Sequence, residues 1–305
     1  MRVRRARLQH PRMSEARLEE AVEFLNGPGF IPVESEPARV EIEAGGDGRQ
    51  FRFPSPRSGE LVENNTVYGR LYRCGEHWRE KPVVVLLPGG ADFHNHRFGF
   101  PWVARQCNRA GLNAVTLELP YQFRRRPRER QSFAKIDYVR LSQITAQGVA
   151  EIRSVAGWLR AEGCPGIALW GVSLGAWLGG LVVRCDGRIN AAVMIAAPDN
   201  LLARVEQIVW PDNEEAQSVW KTLDRTPLRL TWGQPVVPKE NILLVQGDHD
   251  LFVKKGPAEI CDGWGGPDLW HLRHGHIGAG SSMVPGLNRR ILRWLGKRLP
   301  RFERT

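Results

Sequence analysis

Residues 166–184 read GIALWGVSLGAWLGGLVVR, and three textures meet within them. Gly166 to Gly171 is an apolar run of strand length, Gly171-Val172-Ser173-Leu174-Gly175 sets a serine between two glycines, and Leu174 to Arg184 has the spacing of a helix. A strand that turns through G-x-S-x-G into a helix forces its serine into a strained backbone conformation and lifts the hydroxyl clear of the sheet edge. The following helix aims backbone N–H groups at developing negative charge. The plainer reading is a glycine-rich turn whose serine caps the helix. The strand before and the helix after favour a nucleophile at Ser173, with the Leu174 N–H beside it.

Similar apolar runs stand on either side: VVVLL at 83–87, NAVTLEL at 113–119, NAAVMIAA at 190–197 and NILLVQG at 241–247. Runs without alternation belong to a parallel sheet covered on both faces. Helical stretches at 100–110, 141–162 and 174–184 are long enough to be its crossovers. Upstream, ARVEIEA, RQFRFP and TVYGRLYR alternate apolar with polar and are separated by turn residues, which predicts antiparallel strands at one edge. A first helix is expected over 14–26, with Ser14 as its cap. The fold class is therefore α/β, a doubly wound and mostly parallel sheet. An N-terminal arm and helix occupy 1–37 and the main domain 38–305. The segment 199–240, with Trp210, Trp220 and Trp232, reads as an inserted cap, the alternative being one long crossover helix.

The composition narrows the function. The chain has 305 residues, 42% hydrophobic and 25% charged, with a formal net charge of +10. The basic residues accompany no recognisable nucleic-acid-binding motif, so nucleic acid is disfavoured as a partner. No apolar run approaches the roughly 18 to 20 residues of a membrane span, and the basic start has no signal-peptide core behind it. Five scattered cysteines suggest neither a disulfide framework nor a zinc knuckle. The expectation is a cytoplasmic protein without a transmembrane segment; its oligomeric state is not legible.

With its strand, G-x-S-x-G turn and helix, the chain resembles the α/β-hydrolase superfamily, in its serine esterase or lipase-like branch, over roughly 83–299. That resemblance implies an acid and then a histidine, in this order, on later strand-end loops. Asp248-His249-Asp250 is similar to the family's G-x-x-D stretch and makes Asp250 the acid, ahead of Asp248 and of Asp199. Gly275-His276 looks like its histidine loop and makes His276 the base. His271 and His274 fit better as residues of the final strand candidate, 268–275.

The resemblance also asks for a second oxyanion donor from the loop after the first central strand. Pro88-Gly89-Gly90-Ala91 offers Gly90 or Ala91, without the His-Gly-Gly-Gly form of many lipases. Phe93, His94, Tyr121 and Trp210 are the expected substrate-lining residues. His94 and His96 have no further ligand set at metal spacing, so no metal and no cofactor is expected. The run Arg124-Arg125-Arg126 is either a solvated loop or a reader of anionic substrate. A serine at the turn disfavours the family branches that use a carboxylate nucleophile. The expected activity is hydrolysis of small carboxylic esters through an acyl-enzyme. Peptidase, thioesterase or acyltransferase chemistry, and a noncatalytic binding module, are the alternatives.

Overall fold

The computed structural model describes residues 15–31, 36–43, 48–90, 95–127, 137–281 and 284–300. Among the described residues nine strands form one sheet: β1 (Glu41–Ile42), β2 (Arg49–Pro54), β3 (Thr66–Tyr72), β4 (Val83–Leu87), β5 (Asn113–Leu117), β6 (Ile167–Val172), β7 (Ala191–Ile195), β8 (Ile242–Gly247) and β9 (Asp268–Leu272). Their order is β1-β2-β3-β5-β4-β6-β7-β8-β9. The first three strands and their join to β5 are antiparallel, and every pairing from β5 to β9 is parallel.

The unbroken apolar runs form central strands because both of their faces are buried. Val83, Val85 and Leu87 enter one core, shared with α1 (Glu15–Asn26), α3 (Tyr138–Ala161) and α4 (Leu174–Val183). Val84 and Leu86 enter the other, with α2 (Phe100–Arg109) and α9 (Leu287–Leu295). This alternation across the pleat leaves the main strands no polar face.

β1 is shorter than the expected 38–44 because the edge strand pairs with β2 over two residues only. α3 begins at Tyr138 rather than 141, capped by the Asp137 side chain, which accepts a 2.9 Å hydrogen bond from the Arg140 N–H. Ser14 lies outside the described residues. Between β7 and β8 stand α5 (Leu201–Val209), α6 (Glu214–Leu223) and a short 3₁₀ turn at Leu230–Trp232, so no single long helix makes that connection. Leu228 and Leu230 from this segment are fully buried, and the Leu228 carbonyl accepts from the Trp177 indole at 2.9 Å. After β8 come α7 (Gly256–Gly263), β9 and a single-turn helix, α8 (His276–Gly280). All five cysteines are unpaired. Among the described residues no helix is long and apolar enough to cross a membrane.

The chain passes from β4 to β5 on one side and then crosses to β6 on the other. The strand order therefore reverses at β4, and the loops after β4 and β6 flank a crevice at the carboxyl ends of the strands. In doubly wound sheets ligands bind at such a crevice.

Candidate active site

Ser173 occupies the turn between β6 and α4 with φ 50° and ψ −112°. That conformation costs about 1–3 kcal/mol for a residue with a side chain. It is held from both sides, since the Ser173 N–H donates to Ile195 and the Ser173 carbonyl accepts from Trp177, each at 2.9 Å. The flanking glycines are required by packing. A Cβ on Gly171 would lie 2.5 Å from the Ala176 nitrogen, and one on Gly175 would fall on the Leu87 carbonyl oxygen. The start of α4 therefore sits directly against the end of β4.

His276 opens α8. Its Nε2 lies 3.0 Å from Ser173 Oγ and its Nδ1 lies 2.7 Å from Asp250 Oδ2. An ionised carboxylate can only accept, so Nδ1 carries the proton and Nε2 is left to accept from the serine hydroxyl. Asp250 Oδ1 accepts the N–H groups of Phe252 and Val253, each at 2.9 Å. The carboxylate is thus fixed by its own loop and presents one oxygen to the imidazole. The Phe252 ring covers the His276 ring at 4.8 Å between centroids. Arg204 of α5 donates to the carbonyls of Phe252 and Leu251, tying α5 to this loop.

Two buried amides fasten the loop after β4. Gln122 Nε2 donates to the Gly89 carbonyl at 2.8 Å, and Asn95 Nδ2 donates to the Gly280 carbonyl at 2.9 Å. The second bond joins the exit of that loop to the helix that begins with His276. Leu174 is the first residue of α4, where helix N–H groups have no intrahelical partner. Gly90 is exposed at the end of the described part of the loop.

The comparisons with known proteins point one way. Residues 61–204 match the family model described as alpha/beta hydrolase domain containing 18. An esterase of Pyrococcus furiosus superposes with TM-score 0.60 at 13% identity, covering 87% of this chain and 99% of its own. An acetyl xylan esterase from a Paenibacillus species does so with TM-score 0.61 at 14% identity, covering 92% and 93%. The chain has the α/β-hydrolase fold. Est1E of Butyrivibrio proteoclasticus, solved with ferulic acid bound, is a further structural neighbour, at TM-score 0.56, 11% identity and coverage of 76% and 95%. Comparison by sequence with curated proteins gives no match.

The structure thus brings Ser173, His276 and Asp250 together and separates them from the rival residues. Asp199 is buried in a bond to the Arg229 guanidinium at 2.7 Å and also accepts the Thr231 N–H and hydroxyl. Asp248 pairs with His271 of β9 at 2.8 Å on the surface, rather than with its own backbone. His274 lies beyond the end of β9. Tyr121 is half-buried after β5 and Trp210 half-buried at the end of α5. Ala91, Phe93 and His94 lie outside the described residues. His96 stacks on the Phe123 ring at 3.8 Å, with Nε2 3.8 Å from the buried Glu118 carboxylate.

The arginine run is neither a solvated loop nor a reader of anions at its second position, while Arg124 before it is exposed but paired. Arg125 is fully buried and makes a two-pronged pair with Glu151 at 2.6 and 2.7 Å, while Nη1 and Nη2 also donate to the carbonyls of Glu118 and Asn64. Arg124 binds Glu118 at 2.8 Å. Burial pushes the Glu118 carboxyl up, and His96 with Arg124 more than reverses this, leaving it below the usual range. Sequence reading missed Asn95, Gln122 and the Arg125 pair; only an alignment pairing Arg125 with Glu151 would signal the last.

Proposed function

We propose that this protein is a serine hydrolase of small carboxylic esters, acting through an acyl-enzyme. The observation that carries the reading is the continuous hydrogen-bonded relay from Ser173 Oγ through His276 to Asp250. In it, Ser173 Oγ attacks the ester carbonyl carbon while His276 Nε2 takes its proton, and Asp250 holds the imidazole in place and offsets the charge it gains. The Leu174 N–H and a second N–H from Gly90 or Ala91 bind the oxyanion, each contributing about 3–4 kcal/mol. His276 returns the proton to the leaving alkoxide as the tetrahedral intermediate collapses. Water then attacks the acyl group as His276 takes its proton, and collapse breaks the bond to Ser173 Oγ, which regains that proton from His276 as the acid is released.

Phe93, His94, Tyr121 and Trp210 are proposed to line the substrate, with the helical segment 199–240 as a cap. The preference for esters over amides is supported by the structural neighbours named as esterases, an argument by analogy of fold.

The test combines turnover with labelling. A fluorophosphonate should add once per chain, at Ser173, and Ser173→Ala should lose both the adduct and p-nitrophenyl ester turnover by at least about 10³-fold. An unlabelled Ser173 in folded protein, or turnover that survives the substitution, removes the reading.

A further inference from the structure

A cavity of about 370 Å³ opens on the same sheet edge, between the end of α1, the segment before β3 and the first turns of α3. β2 ends where β3 begins, and β3 runs antiparallel to β5. Residues 55–65 therefore lie beside the carboxyl end of β5, three strands and about 14 Å from the strand that carries Ser173.

The walls combine an apolar side with a surplus of donors. Phe24, Leu61 and Ile144 supply the apolar side. Arg57 is half-buried, with its guanidinium carbon 5.7 Å from the centroid of the Phe24 ring. Of its five N–H donors, one on Nη1 meets the Gly29 carbonyl, and among the described residues no carboxylate pairs with it. Burial holds this guanidinium below its ordinary pKa. Asn64, also on the wall, is buried; its Oδ1 accepts the Tyr121 N–H at 2.7 Å, but its Nδ2 has no partner among the described residues. The remaining charges on the walls cancel, since Arg140 pairs with Glu60 at 2.9 Å.

Among the described residues the cavity offers Arg57 no carboxylate, since Glu60 is committed to Arg140. Partly desolvating an unpaired cation is costly, and a ligand oxyanion would offset that cost. A carboxylate matches the guanidinium fork in shape and in charge, whereas a phosphate monoester near two negative charges would leave one unbalanced. We propose that this cavity binds the carboxylate of a small amphipathic monocarboxylic acid, with Arg57 as its cation and the Phe24, Leu61 and Ile144 wall against its apolar body. The cavity shares Tyr121 with the proposed substrate lining but does not include Ser173, so acid binding in Ser173→Ala separates its failure from that of the hydrolase reading.

Titration calorimetry of the full chain with 3-phenylpropionate, and with its uncharged amide, tests this directly. The acid should bind at one site with a dissociation constant of about 1 mM or tighter, and the amide at least about tenfold more weakly. Arg57→Gln should weaken the acid by at least about tenfold while Arg57→Lys keeps part of the affinity, with thermal melting reporting that each variant is folded. Leu61→Trp, which fills the cavity from its apolar side, should weaken the acid without touching the cation. Absence of saturable binding, equal affinity for the amide, or affinity unchanged in both Arg57→Gln and Leu61→Trp would each overturn the proposal.

Discussion

Asp199 stands four residues after β7 and Asp250 three residues after β8, on adjacent strands of one sheet edge and both buried. Either could be the acid by position. Asp199 spends one oxygen on the Thr231 N–H and the other on the Arg229 guanidinium and the Thr231 hydroxyl. Asp250 spends one oxygen on its own loop and gives the other to His276. The difference lies in what remains to be shared once backbone donors are met. A carboxylate already neutralised by an arginine has little left with which to stabilise an imidazolium; one held by neutral N–H groups keeps its charge for that task.

The largest effect should come from removing that charge. Asp250→Asn is expected to lower kcat for a p-nitrophenyl ester by about 10³ to 10⁴-fold at nearly unchanged thermal stability, because the amide favours the wrong imidazole tautomer. Activity retained in Asp250→Asn but lost in Asp199→Asn would invert the comparison. Asp199→Asn should instead act on the fold. It leaves Arg229 with only Asp224, at 3.2 Å, and since that arginine side chain is 41% exposed, solvent screening limits the cost to about 1–2 kcal/mol. The midpoint of urea unfolding checks this, with turnover of the folded protein holding within about threefold.

How much of this could be read before folding depends on how local each cause is. The central strands were legible because Val83 to Leu87 and Ile167 to Val172 have no polar face to hide, and the serine turn because Gly171 is forced by the adjoining turn at Gly175 and Ala176, although Gly175 itself is forced by the distant Leu87. The sequence also pointed to Ser173, Asp250 and His276, the three side chains that the fold brings together, because the resemblance fixes their order along the chain. Commitments between distant segments were not legible. Arg125 reads as one of three consecutive arginines and gives no hint that Glu151 will bury it. Asn95 reaches a carbonyl 185 positions away, and no local pattern announces such a bond. Asp248 and Asp250 differ in sequence by two places and in the folded chain by their histidine.

Acid sharpens the contrast between carboxylates that serve a neighbour and those that hold the fold. Burial raises the Asp186 carboxyl, but its bonds to Arg188 and the charge of Arg153 bring it below its ordinary value of 3.8, as Glu118 falls below 4.5. Depressed carboxyls contribute stability that is complete above the unfolded-state values and is lost as pH falls through the folded ones. Urea midpoints should therefore drop below about pH 4.5, and Asp186→Asn should flatten that drop. The smallest effect belongs to Asp248→Asn. Its exposed pair with His271 is worth no more than about 0.5 kcal/mol, and ester turnover should stay at the parent level. A large loss there would mean that the β8 loop relies on its outer aspartate as well as its inner one.

The seam where α4 meets β4 has a practical corollary for anyone diversifying this scaffold. Gly171 and Gly175 leave no room even for a methyl group, because backbone atoms of the neighbouring turn and strand already occupy that space. In a saturation library both columns should come back almost empty, whatever substrate is selected. Variation is better spent on the solvent-facing Leu251 and Ile277, each one residue past a relay member and more than 80% exposed, where new side chains can be tried without rebuilding the turn.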